Sequence, residues 1–182
     1  MKRVFSTVPL LSVALLAQSG SPLQYSKEGK LLLPNYREWV FLSSGLGMTY
    51  AQNPQPNAAP LFDNVFVNAD ARKAFVKTGT WPDKTALVLE SRRSDSKLSI
   101  NKDGRVQTDF AGVEAHVKDA SRGGWAFYRF PNGAKEGTLI PKTENCYSCH
   151  EQNGSVDTTF VQYYPTLIEI AKTKGTFKTT EH

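Results

Sequence analysis

Sulfur and imidazole are scarce in this chain. Its 182 residues hold two cysteines, Cys146 and Cys149, two methionines and three histidines. Two thiols cannot complete a four-thiol zinc site, and they cannot build a disulfide framework. Beyond the first 17 residues no apolar run approaches the roughly 20 residues that cross a bilayer. The positive surplus is small, +5, and its lysines and arginines are scattered. No basic stripe with interleaved aromatics forms, which argues against a nucleic-acid partner. No internal repeat appears. Charged residues at 21% and apolar residues at 40% describe a globular chain with enough length for one real core.

What is present is concentrated. The two cysteines lie in Cys146-Tyr147-Ser148-Cys149-His150, a C-x-x-C-H run and the attachment signature of c-type haem. The spacing suits two thioether bonds to the haem vinyl groups, with the following histidine placed to bind the iron. Other readings exist. A thioredoxin-like dithiol usually opens a helix after a strand, whereas Gly133 to Asn145 reads as loop. A disulfide, or a thiol–disulfide protein without haem, leaves His150 without a role.

The N-terminus reads as an export signal over residues 1–19. Lys2 and Arg3 precede the apolar stretch Val4 to Ala17, and Ala17-Gln18-Ser19 offers small residues for cleavage. No cysteine follows directly, so no lipoprotein anchor is expected. Cleavage removes Lys2 and Arg3 and no acid, taking +5 to +3. A periplasmic protein with no membrane span after cleavage is expected, with residues 20–182 as one domain. Export agrees with haem attachment outside the bacterial cytoplasm. Another exported electron-transfer protein is the expected redox partner.

Along the mature chain, residues 20–30 read as a loose tail. Tyr36 to Leu42 is a short helical turn or a strand, ending at Ser43-Ser44-Gly45. Residues 53–60 form a proline-rich loop. A strand at Asn64 to Val67 leads through Asn68, an N-cap, into a helix over Ala69 to Thr78, with Gly79 at its C′ position. Thr85 to Ser91 reads as a strand. Asn101 to Gly104 is a hairpin-like turn between Ser99-Ile100 and Arg105-Val106. Gly112 to Asp119 alternates, with Val113, Ala115 and Val117 on one side and Glu114, His116 and Lys118 on the other. Gly124 to Phe130 is an aromatic strand. Thr158 to Lys172 looks helical, capped by Asp157 and bent at Pro165. The expected class is α+β, mainly antiparallel sheet with flanking helices and a C-terminal haem-attachment helix.

The second axial position decides what a haem protein does. After the signal, Met48, His116 and His182 are the only sulfur or imidazole candidates left. Met48 in a flexible loop reads as core packing, and His116 as a surface or satisfied histidine, so an open site is expected. Bound side chains on both axial faces would instead make a six-coordinate electron carrier. Glu114 and Lys118 offer a proton relay, Arg122 a partner for a haem propionate, and Glu151 an orienting group for His150. Glu114 and Arg122 are taken as the candidate catalytic pair.

The chain resembles the cytochrome P460 family, which includes the cytochromes c′-beta. The resemblance is carried in order by Leu31 to Trp39 (LLLPNYREW), Lys77-Thr78-Gly79, Gly112 to Asp119 (GVEAHVKD), Gly124 to Phe130 (GWAFYRF), Cys146 to His150, and Tyr164-Pro165. It implies a largely antiparallel sheet protein carrying one haem c, usually a homodimer, with His150 on the iron and an open distal side. It also implies small nitrogen ligands: hydroxylamine for cytochromes P460 proper, which are oxidoreductases, and nitric oxide for the c′-beta type. The lysine that cross-links haem in the former falls at or beside Leu89, and Lys84 lies just before that strand. The family's distal arginine falls near Asp63 or Asn64. Phe66, Leu87 and Leu89 are therefore expected to form an apolar, c′-beta-like pocket against the haem.

Overall fold

The computed structural model describes residues 21–50 and 59–179. The proposed signal, most of the 53–60 loop and His182 lie outside the described residues. Six strands form one antiparallel sheet in simple sequence order: β1 (Val40–Leu46), β2 (Phe62–Val67), β3 (Ala86–Asp95), β4 (Val106–Asp119), β5 (Gly124–Arg129) and β6 (Thr138–Leu139). The helices are α1 (Ala69–Thr78), α2 (Asn145–Asn153) and α3 (Ile168–Thr173). The α+β expectation holds. Among the described residues no helix is long and apolar enough to cross a membrane.

Both faces of the sheet are covered. On one face Leu42, Val67 and Leu87 meet Ala71 and Phe75 of α1, Ala171 of α3, and Trp81, Val161 and Leu167 from the connecting segments. On the other, Val88, Val113, Ala115, Val117 and Tyr128 pack under Leu23, Leu31 and Tyr36. The alternation along β4 therefore separates two interiors, because successive strand side chains point to opposite faces. Residues 21–30 are not the loose tail expected over 20–30. Leu23 and Leu31 are buried, and Tyr25 Oη donates to Asp119 at 3.0 Å. Widely spaced apolar residues were enough to dock that segment.

Other boundaries shift for identifiable reasons. A 3-10 turn at Tyr36–Glu38 precedes β1, which continues through Ser43-Ser44-Gly45 because β2 supplies a full ladder. A bulge at Leu42 turns that side chain into the core. The turn between β3 and β4 spans more than the four residues expected, since the ladder ends at Asp95 and resumes at Val106. Asn68 sits at the N-cap of α1 but bonds elsewhere. Its Oδ1 accepts from the Ala86 amide at 2.8 Å, tying the helix start to β3. Gly79 takes the left-handed C′ conformation, φ 77°, as expected. The helix expected over Thr158 to Lys172 is broken. Its start is a tight turn, its middle is a 3-10 turn at Val161–Tyr163, and only Ile168–Thr173 is α-helical, beyond Pro165.

Candidate functional site

Strand register lays two rows of side chains across the sheet. One runs Ser43, Val65, Leu89, Glu114, and the next runs Val67, Leu87, His116, Phe127. Over them lies a cavity of about 260 Å³, roofed by His150 and by Thr159, Phe160, Tyr163 and Tyr164 from the chain after α2, with Met48 and Tyr50 at one side.

Helix α2 carries Cys146, Cys149 and His150. Positions three apart share one side of a helix, so both thiols sit on that side, free and half-buried. Tyr147 anchors the first turn to the sheet. Its hydroxyl donates to the Ile140 carbonyl at 3.0 Å and accepts from the Phe127 amide at 3.2 Å. Its ring meets Phe127 edge-on. After α2 the chain doubles back at Gly154. A Cβ there would stand 2.6 Å from the His150 carbonyl oxygen and 2.8 Å from the backbone of Thr158 and Thr159. Only glycine permits this approach, and it delivers the Thr158 carbonyl to His150.

His150 Nδ1 lies 2.7 Å from that carbonyl oxygen. A carbonyl only accepts, so Nδ1 carries the proton and Nε2 keeps its lone pair for a metal. Burial pushes the His150 pKa down, outweighing the bond to Thr158. The neutral form, the one that ligates metals, is favoured. Glu151, expected to orient this ring, is exposed; the backbone does that work instead.

The other expected site residues divide. Leu87, Leu89 and Glu114 line the cavity. Phe66 does not. It points to the opposite face, with ring centroids 5.6 Å from Tyr36 and 5.7 Å from Phe41, because its strand neighbours Val65 and Val67 take the cavity side. Arg122 is also misplaced as a catalytic group. It sits beyond the end of β4, with its guanidinium 3.7 Å from the Tyr25 ring centroid and donating to the Gly29 carbonyl. Lys84, the one lysine near the expected cross-link position, is bound to Asp119. Lys118 donates to the Trp81 carbonyl at 2.7 Å and pairs with Asp157, so it relays no proton with Glu114. Among the described residues no lysine or arginine lines the cavity.

Two acids do line it. Asp63 accepts from Ser91 Oγ at 2.6 Å, and Glu114 accepts from Arg129 Nε at 2.9 Å. Met48 reaches the cavity by folding back on Gly45. His116 is buried in the cavity wall between Trp125 and Phe127, and burial pushes its pKa well down. Its ring meets His150 edge-on with centroids 5.0 Å apart, which makes it a neighbour of His150 rather than an opposing ligand. The sequence reading missed Val65, Tyr50, Phe160 and Tyr163. Alternation from Leu87 and Leu89 across the β2–β3 ladder would have found Val65.

A sequence model of the cytochrome P460 family matches residues 33–161, well over half of the chain. The chain belongs to the cytochrome P460 family. No individual curated protein matches it. The matched span holds all six strands, the C-x-x-C-H helix and the Thr158 turn. A cytochrome P460 is a haem c protein, and this chain has a donor set that fits the group: two free thiols, an imidazole of fixed tautomer and an aromatic-lined hollow. Among the described residues no three His, Cys, Asp or Glu side chains could hold a bare metal ion.

Proposed function

We propose that this cytochrome P460 relative is an exported monohaem cytochrome that binds or redox-processes small nitrogen ligands, nitric oxide first and hydroxylamine second. Cys146 and Cys149 would hold the haem by thioether bonds, and His150 would bind its iron. The haem supplies an iron that accepts small ligands and exchanges single electrons. The observation that carries this reading is His150, with Nδ1 committed to Thr158, opening on a cavity floored by Val65, Leu87 and Leu89.

This chain's residues then have separate tasks. The Thr158 carbonyl holds the imidazole in its ligating tautomer. The apolar floor admits diatomic-sized ligands and disfavours charged ones. Glu114, held by Arg129 at the cavity wall, and Asp63 are the groups positioned to exchange protons with a ligand. With Lys84 engaged by Asp119, a lysine cross-link to haem has no candidate in the cavity wall among the described residues, which favours nitric-oxide binding over hydroxylamine oxidation. Residues 1–19 direct the chain to the periplasm, where a homodimer exchanges electrons with another exported carrier.

Absorption spectra of the exported protein, oxidised, reduced and reduced with carbon monoxide, test the reading. A haem c spectrum that shifts with carbon monoxide is expected. A haem c spectrum that does not shift supports the second reading, a six-coordinate electron carrier, which the presence of Met48 at the same cavity favours. Mass spectrometry of the haem peptide should show two thioether links and no third bond.

A further inference from the structure

The acceptor for His150 belongs to a turn that is gripped at three consecutive residues, two of them from β4 and one from the α1–β3 connection. Val156 and Thr159 bridge the turn, and Asp157 takes a left-handed φ of 51° within it. Lys118 pairs with Asp157 at 3.3 Å. Trp81 Nε1 donates to Thr159 Oγ1 at 2.8 Å. His116 Nε2 is hydrogen-bonded to Thr158 Oγ1 at 3.3 Å.

Of the three, His116 is the one whose identity needs explaining. It stacks on Phe127 at 3.9 Å between centroids and 12° between planes, with Trp125 at 4.3 Å. A phenylalanine would fill that aromatic slot without burying polar nitrogens, which is costly unless they are bonded. What imidazole adds there is its polar edge, and that edge meets Thr158. We infer that His116 is a positioning residue for His150: through Thr158 Oγ1 it fixes the carbonyl that orients the ligating imidazole. Such outer partners raise the basicity of a ligating histidine. They therefore favour oxidised over reduced iron.

This inference rests on the haem reading above. The test uses exported holoprotein and two readouts, the iron–imidazole stretching band of the reduced protein in Raman spectra and the midpoint potential. H116F keeps the stacking and removes the bond; T158V removes the hydroxyl and keeps the carbonyl; T158S keeps both. H116F and T158V should each move the band to lower frequency and the potential upward. The double variant should add little, because both act on one contact. T158S should stay at the wild-type values. If H116F and T158V fold and bind haem with band and potential unchanged, the inference is overturned even if their unfolding midpoints fall. If H116F does not fold, T158V against T158S decides alone. Wild-type protein lacking haem would overturn both this inference and the reading beneath it.

Discussion

The two faces of the sheet bury similar residues and do different things with them. On the far face, Val88, Val113, Tyr128 and Phe130 close against the N-terminal segment, and each buried charge is paired several times over. Glu90 takes two bonds from Arg37 and one from Arg92. Asp119 takes bonds from Lys84, Ser121 and Tyr25. On the near face, the same alternation leaves a hollow, and its polar groups are sparsely held. Glu114 has one arginine and His116 one hydroxyl. The far face is closed by packing and paired charges, and the near face gives up packing around a hollow, the place the proposed ligand would need.

The sharpest way to break this contrast is at α2. Replacing Cys146 and Cys149 together by alanine should abolish covalent haem entirely, read as lost haem staining on a denaturing gel, while the far face stays folded by circular dichroism. Next in size is Phe130→Ala. Phe130 is 1% exposed, and its loss should cost about 3–5 kcal/mol in denaturant unfolding without altering the haem spectrum. Acid should separate the faces too. Burial alone would raise the Asp119 carboxyl, but hydrogen bonds from Lys84, Ser121 and Tyr25 outweigh it and bring it down to about 2. A lowered carboxylate pKa stabilises the fold above its unfolded value of about 3.9, and that contribution fades as pH falls through the folded value. Asp119→Asn should thus cost on the order of 1–2 kcal/mol at pH 7. The deficit should vanish between about pH 4 and pH 2 in pH-dependent melts. A stability effect no larger, about 1–2 kcal/mol, is expected at Leu89→Ala, a half-buried leucine that already borders a hollow. Its main signature should be faster ligand entry in stopped-flow measurements and admission of bulkier ligands.

Much of this division was legible in the residues. The alternation from Gly112 to Asp119 assigns Val113, Ala115 and Val117 to one interior and Glu114 and His116 to the other, since period two is fixed by strand geometry. The C-x-x-C-H run points to haem by its spacing, and the family match agrees as far as a haem c protein. Phe66 was misassigned by counting hydrophobicity and ignoring parity with Val65 and Val67. Arg122 was misassigned because nearness in sequence to β4 says nothing about which end of the strand reaches the cavity. The Thr158 carbonyl was beyond reach, because a backbone acceptor leaves no trace in side-chain identity. Gly154, which permits it, was a clue left unread.

The strand order has a consequence for how such a molecule is made. Each strand pairs with its predecessor, and the last of them ends at Leu139, before the first thiol at Cys146. A chain emerging from its N-terminus has all six strands in hand before the two sulfurs appear. Pairing each strand with its predecessor keeps the sheet contacts local in sequence, most of all between β4 and β5, which only Ala120 to Gly123 separate. On the proposed reading, the porphyrin would be joined to a sheet already paired rather than nucleate it, and a chain denied its pigment should fail at α2 and the near-face residues that follow it, Val156, Val161 and Leu167, rather than in the strands.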